Sequence, residues 1–167
     1  MLFWSKVLKI LGIDPGLTNT GYGLISVKNR NYKSLEGGVI RTKSDQSLEN
    51  RLYSIYSVIK DIMMEFSPNS VAIEELHSRS RFVKTAILLG HARGAAIVAV
   101  GQFNIPVFNY QPTQAKNMLT GFGGASKEQI KAAVSDCLGE PNIIKNEHMA
   151  DAFSIAICHG MMIEKSI

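Results

Sequence analysis

Residues 11–25 read LGIDPGLTNTGYGLI and set a carboxylate, Asp14, directly after an apolar segment and ahead of several glycines. The apolar segment Lys9–Ile13 predicts a buried strand, and α/β proteins tend to place their chemistry at such strand ends. A Pro-Gly turn signal follows, and Gly21 and Gly23 allow another backbone to approach closely. A plain hairpin with an Asx turn at Asp14 is the structural alternative, and this segment alone favours neither.

Length and composition predict one folded domain. The chain has 167 residues, of which 46% are hydrophobic, which is enough for a sizeable core. We therefore expect a single domain over residues 1–167, with short tails at 1–6 and 164–167. The net charge of +4 and the pI of about 9.1 are compatible with a polyanionic partner without demanding one.

The cysteines and the apolar runs bear on where the protein works. Cys137 and Cys158 lie in apolar helical patterns, which predicts reduced core residues, and no zinc-binding spacing occurs. Residues 1–6 are too short for the apolar core of a signal peptide, and no apolar run is expected to approach transmembrane length. We therefore expect a soluble cytoplasmic protein.

The order of the predicted elements indicates an α/β fold with a mixed sheet. Three strands come first, then a helix, and then strands and helices alternate. The predicted strands cover residues 9–13, 21–27, 34–41, 71–74 and 105–110. The predicted helices cover residues 48–66, 82–100, 112–121, 126–138 and 146–163, and Ser126 with Gln129 predicts a capping box.

Three more polar residues stand where chemistry is plausible. Glu74 ends an apolar strand, and since burying an unpaired charge is costly, sharing a cation with Asp14 would explain it. Glu75 should point to the opposite face, so Glu74 is preferred. His148 and Asp151 are three residues apart on a predicted helix and share a face. A solvent-facing strand end and ordinary surface or capping residues are the structural alternatives.

Together these residues indicate a metal-dependent hydrolytic site. Carboxylate oxygens suit Mg²⁺ or Mn²⁺. Two such ions, about 3.5–4 Å apart, could activate a water and stabilise the leaving 3′ oxygen of a phosphodiester. His148 could be a ligand or could manage a proton, and the sequence does not choose. The predicted catalytic and metal-binding residues are Asp14, Glu74, His148 and Asp151.

Basic residues near these carboxylates predict contact with nucleic acid. Cations can meet phosphates, and interleaved rings can stack on exposed bases. Lys116 and Lys127 flank the glycine-rich loop 120–126, whose amides could approach a phosphate. A solvated charge run and an ordinary helix connection are the alternatives. The segment after Glu74 contributes His77, Arg79, Arg81, Phe82 and Lys84.

The chain resembles the RuvC family of bacterial Holliday junction resolvases from Ile10 to Gly160. The matching segments keep the family's order and spacing: ILGIDPGLTNTGYGLI, AIEEL, ILLGHARGAAIVAV, QAKNMLTGFGGASKEQI and HMADAFSIAICH. The resemblance implies a ribonuclease H-like fold, with a five-stranded mixed sheet flanked by helices. It also implies a crossover junction endodeoxyribonuclease of recombination and DNA repair. Such an enzyme is a homodimer that makes paired nicks in a four-way junction, with the branch-migration proteins RuvA and RuvB as partners.

The resemblance assigns the acidic site to Asp14, Glu74 and Asp151. Some members of the family have an aspartate where this chain has His148, and others have a histidine. The role of His148 and the metal preference therefore stay open, while the reaction does not.

The resemblance also bears on DNA contacts. Lys116 and Lys127 match lysines with which the family contacts DNA. His77 stands where several members carry a phenylalanine that stacks at the crossover. Stacking is therefore expected from His77 or Phe82.

Three other functions fit parts of the pattern. A sugar-kinase-type or chaperone-type ATPase also begins with a strand, an aspartate and a glycine, but it needs two related domains and a second Asp-Gly loop. A related ribonuclease H-like nuclease on other branched DNA or on RNA–DNA hybrid shares the chemistry and stays open. A non-catalytic junction-binding module would gather charged groups without a metal, at a cost in stability.

Overall fold

The computed structural model describes residues 7–76 and 82–165. Its strands are β1 (Leu8–Asp14), β2 (Asn19–Lys28), β3 (Asn31–Arg41), β4 (Ser70–Glu74) and β5 (Val107–Tyr110). Its helices are α1 (Leu48–Phe66), α2 (Val83–Gly101), α3 (Pro112–Thr120), α4 (Lys127–Leu138) and α5 (Glu147–Lys165). The strands form one sheet in the order β3-β2-β1-β4-β5, so the predicted five-stranded arrangement is confirmed.

The sheet is mixed, as predicted. β1 pairs antiparallel with β2 and parallel with β4, while β4 pairs parallel with β5. Consecutive antiparallel strands form the β1-β2-β3 meander, and β4 and β5 are reached through helical crossovers. The expectation of a single domain over residues 1–167 stays a prediction.

The ends of the predicted elements differ from the observed ones mainly at strands. β3 begins at Asn31, three residues earlier than predicted, because Asn29 and Arg30 both have positive φ and close a two-residue hairpin turn. β5 begins at Val107, two residues later than predicted. The predicted capping box of Ser126 and Gln129 is present at the start of α4.

Helices cover both faces of the sheet. α1 and α2 pack on one face around Leu11 and Ile13, and α3, α4 and α5 pack on the other around Ile10 and Phe153. Because side chains alternate along β1, Leu11 and Ile13 point to one face of the sheet and Ile10 points to the other. Cys137 and Cys158 are free thiols, as predicted, and burial raises the pKa of Cys158 to about 11.

Helix α5 lies directly on the backbones of the central strands. A Cβ added at Gly12 would collide with the carbonyl oxygen of Ala152, and one at Gly21 would collide with that of His148. A Cβ at Gly23 would stand 2.7 Å from the ring of Phe153. The predicted close approach of a backbone to Gly21 and Gly23 is confirmed; the approaching element is α5, which also lies against Gly12.

A buried polar network joins α5 to β4 and β5. His159 Nδ1 is 2.7 Å from the hydroxyl of Tyr110, its Nε2 is 3.0 Å from Ser70 Oγ, and its ring packs on Phe108. Burial lowers the pKa of His159 to about 4, so the imidazole is neutral near pH 7. The network therefore ties the helix that carries Asp151 to the strand that carries Glu74 without burying a charge.

Helix α2 corrects one expectation. It has 19 residues and a mean hydropathy of 1.4, so by length and composition it could cross a membrane, and the expectation that no apolar run approaches that length was wrong. Most residues of the helix are small or branched apolar ones, and its charged residues are Lys84 and Arg93. One face of α2 packs against the rest of the chain through Ala92, Ala96, Ala99 and Val100.

Candidate active site

The structure brings the four predicted site residues together. β1 and β4 are parallel, so their carboxyl ends meet at one edge of the sheet. Asp14 is the last residue of β1, and Glu74 is the last residue of β4. The first two turns of α5 cross the same edge and contribute His148 and Asp151. All four side chains line one cavity of about 620 Å³.

His148 is held from two sides. Its Nδ1 lies 3.0 Å from Asp14 Oδ2, and its backbone N–H donates to Asn146 Oδ1 at 2.8 Å. The hydrogen bond to Asp14 raises the pKa of His148, and burial opposes that shift. When the imidazole is protonated, the two side chains form an ion pair.

The other two carboxyls hold their protons unusually strongly. Burial, followed by the negative charges of Asp14 and Asp151, raises the pKa of Glu74 to about 8. Burial, followed by the charge of Asp14, raises the pKa of Asp151 to about 6. Lys116 acts in the opposite direction on both groups without cancelling these shifts. The site therefore has more negative charge than the protein's own cations compensate.

The chemistry of these donors fits a divalent cation. Hard carboxylate oxygens that repel one another in a partly buried cavity are the groups that Mg²⁺ or Mn²⁺ stabilises in proteins. In the part of the chain that the structure describes, no group of three or more His, Cys, Asp or Glu side chains is placed so that it could hold a metal ion. The fit therefore rests on the oxygen donors and on the raised pKa values of Glu74 and Asp151, because a bound cation would stabilise the ionised forms that burial and repulsion disfavour.

Glu75 also lines the cavity, contrary to the expectation that it points away. Strand alternation ends with β4 at Glu74, so it does not orient the next residue. The carboxylate of Glu75 is exposed and accepts a hydrogen bond from Gln111 Nε2 at 3.2 Å. Glu75 thus stands at the rim, while Glu74 stands deeper.

The predicted lysines reach the site by different routes. Lys127, the first residue of α4, lines the cavity and is ion-paired with Glu147. Lys116 lies on α3, partly buried, and its charge acts on Glu74 and Asp151. Glu147 was not among the predicted site residues. An acidic residue in the first turn of a helix is stabilised by the helix dipole and needs no ion-pair partner, so its position in the sequence did not point to the cavity.

The remaining basic segment is described only in part. Phe82 and Lys84 are exposed at the start of α2, and 73% of the surface of Phe82 is accessible. The predictions for His77, Arg79 and Arg81 lie outside the described residues. Arg93 of α2 was not predicted; its Nε donates to the carbonyl oxygen of Glu74 at 3.2 Å and supports that end of β4.

Comparison with known proteins gives a consistent result. The profile of the family described as "RuvC: Crossover junction endodeoxyribonuclease RuvC" matches residues 10–159. The crossover junction endodeoxyribonuclease RuvC of Alkaliphilus oremlandii is 43% identical over 151 residues, which are 90% of this chain and 92% of that protein. That of Legionella pneumophila is 40% identical over 153 residues, 92% of this chain and 87% of that protein.

Solved structures agree. The structure described as "T. thermophilus RuvC in complex with Holliday junction substrate" superposes with a TM-score of 0.89 at 32% identity, covering 95% of this chain and 96% of that one. The yeast mitochondrial Holliday junction resolvase Ydc2 shares the fold, with a TM-score of 0.62 at 14% identity over 89% of this chain and 77% of that one.

The sheet topology is that of a ribonuclease H-like fold, so the predicted fold is confirmed. With the profile match and the relatives above, the chain belongs to the RuvC family of crossover junction endodeoxyribonucleases. It is therefore an endonuclease.

Proposed function

We propose that this protein resolves Holliday junctions in homologous recombination and DNA repair, acting in the cytoplasm on the substrate of RuvA and RuvB. The observation that carries the proposal is the cavity in which Asp14, Glu74, His148 and Asp151 meet beside Lys127. Carboxylates at that density suit phosphodiester hydrolysis, and a neighbouring lysine suits a polyanionic substrate. The related T. thermophilus protein was solved with a Holliday junction substrate, which supports the same substrate class here.

The cofactor in this proposal is Mg²⁺, or Mn²⁺, with two ions per site. Asp14, Glu74 and Asp151 would hold the ions, and His148 would either add a nitrogen ligand or accept a proton. Bound divalent ions supply Lewis-acid stabilisation of the phosphodiester and a more acidic water. The protein itself supplies the oriented carboxylates, the Asp14–His148 hydrogen bond and the rigid attachment of α5 to the sheet.

The DNA-binding surface in this proposal surrounds the cavity. Lys127 stands at its rim and Lys116 stands on the neighbouring helix α3, so both ammonium groups are near the carboxylates. Lys84 is exposed at the start of α2, the helix whose residues Ala86 and Leu89 also line the cavity. These ammonium groups could therefore neutralise phosphates near a scissile bond that faces the carboxylates.

The outer face of α2 supports a homodimer. Val83, Ile87 and Val98 are 69%, 54% and 62% exposed and lie on one stripe of the helix. Gly94 lies on the same stripe, and a Cβ added there would meet nothing within 4 Å. Glycine inside a helix costs about 0.5–1 kcal/mol relative to alanine, and the fold of one chain does not require it at Gly94. A second copy packed on this stripe would require both the apolar residues and the small one, and a two-fold dimer suits a junction with approximate two-fold symmetry.

Ile87→Asp is expected to weaken this dimer at least tenfold, because association would bury an unpaired carboxylate. Sedimentation equilibrium would measure the change, the wild type giving twice the chain mass of 18.3 kDa. Met64→Asp is the matched control, since Met64 is 61% exposed on α1. Equal dissociation of the two variants, or an unchanged Ile87→Asp dimer, would place the interface elsewhere.

Cleavage of defined substrates tests the proposed function. The purified protein is incubated with a four-way junction carrying a label on each strand in turn, with a linear duplex of the same sequence, and with an RNA–DNA hybrid. With Mg²⁺, we expect symmetric nicks in two opposite strands of the junction, and with a chelator we expect none. Preferential cleavage of the hybrid would instead indicate a ribonuclease of the same fold.

A further inference from the structure

The ion pair at the rim of the cavity joins the starts of two helices. Lys127 is the first residue of α4, Glu147 is the first residue of α5, and Lys127 Nζ contacts Glu147 Oε2. Both residues line the cavity that holds Asp14 and Asp151. The side chains are 68% and 39% exposed, so solvent and a ligand can reach the pair.

The charges that act most on Lys127 are negative. Glu147 raises the pKa of Lys127 most strongly, and Asp151 and Glu128 also raise it. The pKa of Glu147 is lowered mainly by Lys127, and less by His148 and Lys131. A phosphate that approaches the Lys127 ammonium therefore meets a carboxylate already bonded to it.

Lys127 can contact a DNA phosphate only by giving up its ion pair with Glu147, and this limits what Lys127 contributes to DNA binding. A DNA phosphate that takes the ammonium leaves Glu147 as an uncompensated carboxylate beside a polyanion. Exposed ion pairs are weak, so competition from Glu147 should change affinity by a factor of about five at most. The net charge of the pair is zero, so the contact neutralises less phosphate charge than a free lysine would.

We propose that Glu147 masks Lys127: it is an intramolecular substitute for a DNA phosphate, and it weakens junction binding by competing for the ammonium. This proposal rests on the proposed function, in which Lys127 contacts a phosphate. Masking limits how firmly the protein holds DNA, including a nicked product, while leaving the lysine at the site when a phosphate displaces the carboxylate.

Junction binding tests the proposal in a chelator-containing buffer, where no cleavage occurs. Fluorescence anisotropy with a labelled four-way junction would be recorded between about 50 and 200 mM salt, the range over which phosphate contacts are strongly salt-dependent. Glu147→Gln is expected to tighten binding about two- to fivefold and to steepen the slope of log K against log salt by up to about 0.9 for each Lys127 engaged.

Two controls separate masking from general charge effects. Glu128→Gln removes the same charge from an exposed neighbour in the first turn of α4, and it should change affinity less than Glu147→Gln. In a Lys127→Ala background, Glu147→Gln should lose its advantage over Glu128→Gln. Circular dichroism melting would verify that each variant is folded.

The results distinguish the two levels of the hypothesis. If Lys127→Ala binds the junction as the wild type does, the proposed phosphate contact of Lys127 is wrong. If Lys127→Ala weakens binding but Glu147→Gln matches Glu128→Gln, masking is overturned while the contact stands. Weaker binding by Glu147→Gln would also overturn masking and would show that Glu147 positions the lysine for DNA.

Discussion

Asp14→Asn is expected to lower the rate of junction cleavage by about a thousandfold or more, because a carboxylate that holds a divalent cation contributes several kcal/mol to the transition state. Asn keeps the size of the side chain but not its charge. The substitution also leaves His148 facing a neutral amide in place of its carboxylate partner. Single-turnover cleavage of a labelled four-way junction in Mg²⁺ measures the loss.

Junction binding should survive the same substitution. The lysines at the rim are unchanged, and removing one negative charge from the cavity lowers its repulsion of phosphate. Asp61→Asn on the exposed side of α1 is the matched control and should cleave normally. Cleavage by Asp14→Asn at the wild-type rate in Mg²⁺ would rule out Asp14 as part of the catalytic machinery.

In the metal-free protein, Glu74 and Asp151 are expected to lower stability as the pH rises from about 4 to 8, and the buried neutral His159 opposes this effect only below about pH 6.5. The pKa of Glu74 is about 8 in the folded protein against an ordinary value of 4.5, and the pKa of Asp151 is about 6 against an ordinary value of 3.8. At a pH between its unfolded and its folded pKa, each of these carboxyls has lost its proton in the unfolded chain but keeps it in the folded protein. Its contribution to the free energy of unfolding therefore falls with rising pH. The fall levels off above pH 8 and amounts to roughly a few kcal/mol.

Chemical denaturation at pH 5 and pH 8 measures this effect, with Glu74→Gln as the informative variant. Gln does not titrate, so the variant should gain stability relative to the wild type as the pH rises. Glu75→Gln, the exposed neighbour, should follow the wild type. Saturating Mg²⁺ should restore much of the wild type's loss at pH 8, because it binds the ionised carboxylates of the folded state. A Glu74→Gln difference that does not change with pH would show that Glu74 is not destabilised by burial.

Much of the fold was predictable because its signals are local. The apolar spacing along α1, the capping box at Ser126 and the short apolar strand before Glu74 each report their own backbone conformation. The ordered family segments then identified Asp14, Glu74 and Asp151 as one site. The structure places those three carboxylates in one cavity, and their catalytic roles stay predictions.

The sequence determined which residue types stand at the strand ends and helix starts, and this was sufficient to predict the class of chemistry. Only the tertiary structure decided how those residues are paired. The contact of His148 with Asp14 joins residues 134 apart, and it exists because α5 lies on the glycine backbone of β1 and β2. The Lys127–Glu147 pair depends in the same way on how two helix starts meet. The raised pKa of Glu74 is likewise a property of the enclosed cavity, since desolvation and repulsion depend on what surrounds a carboxyl in space and not on its neighbours along the chain.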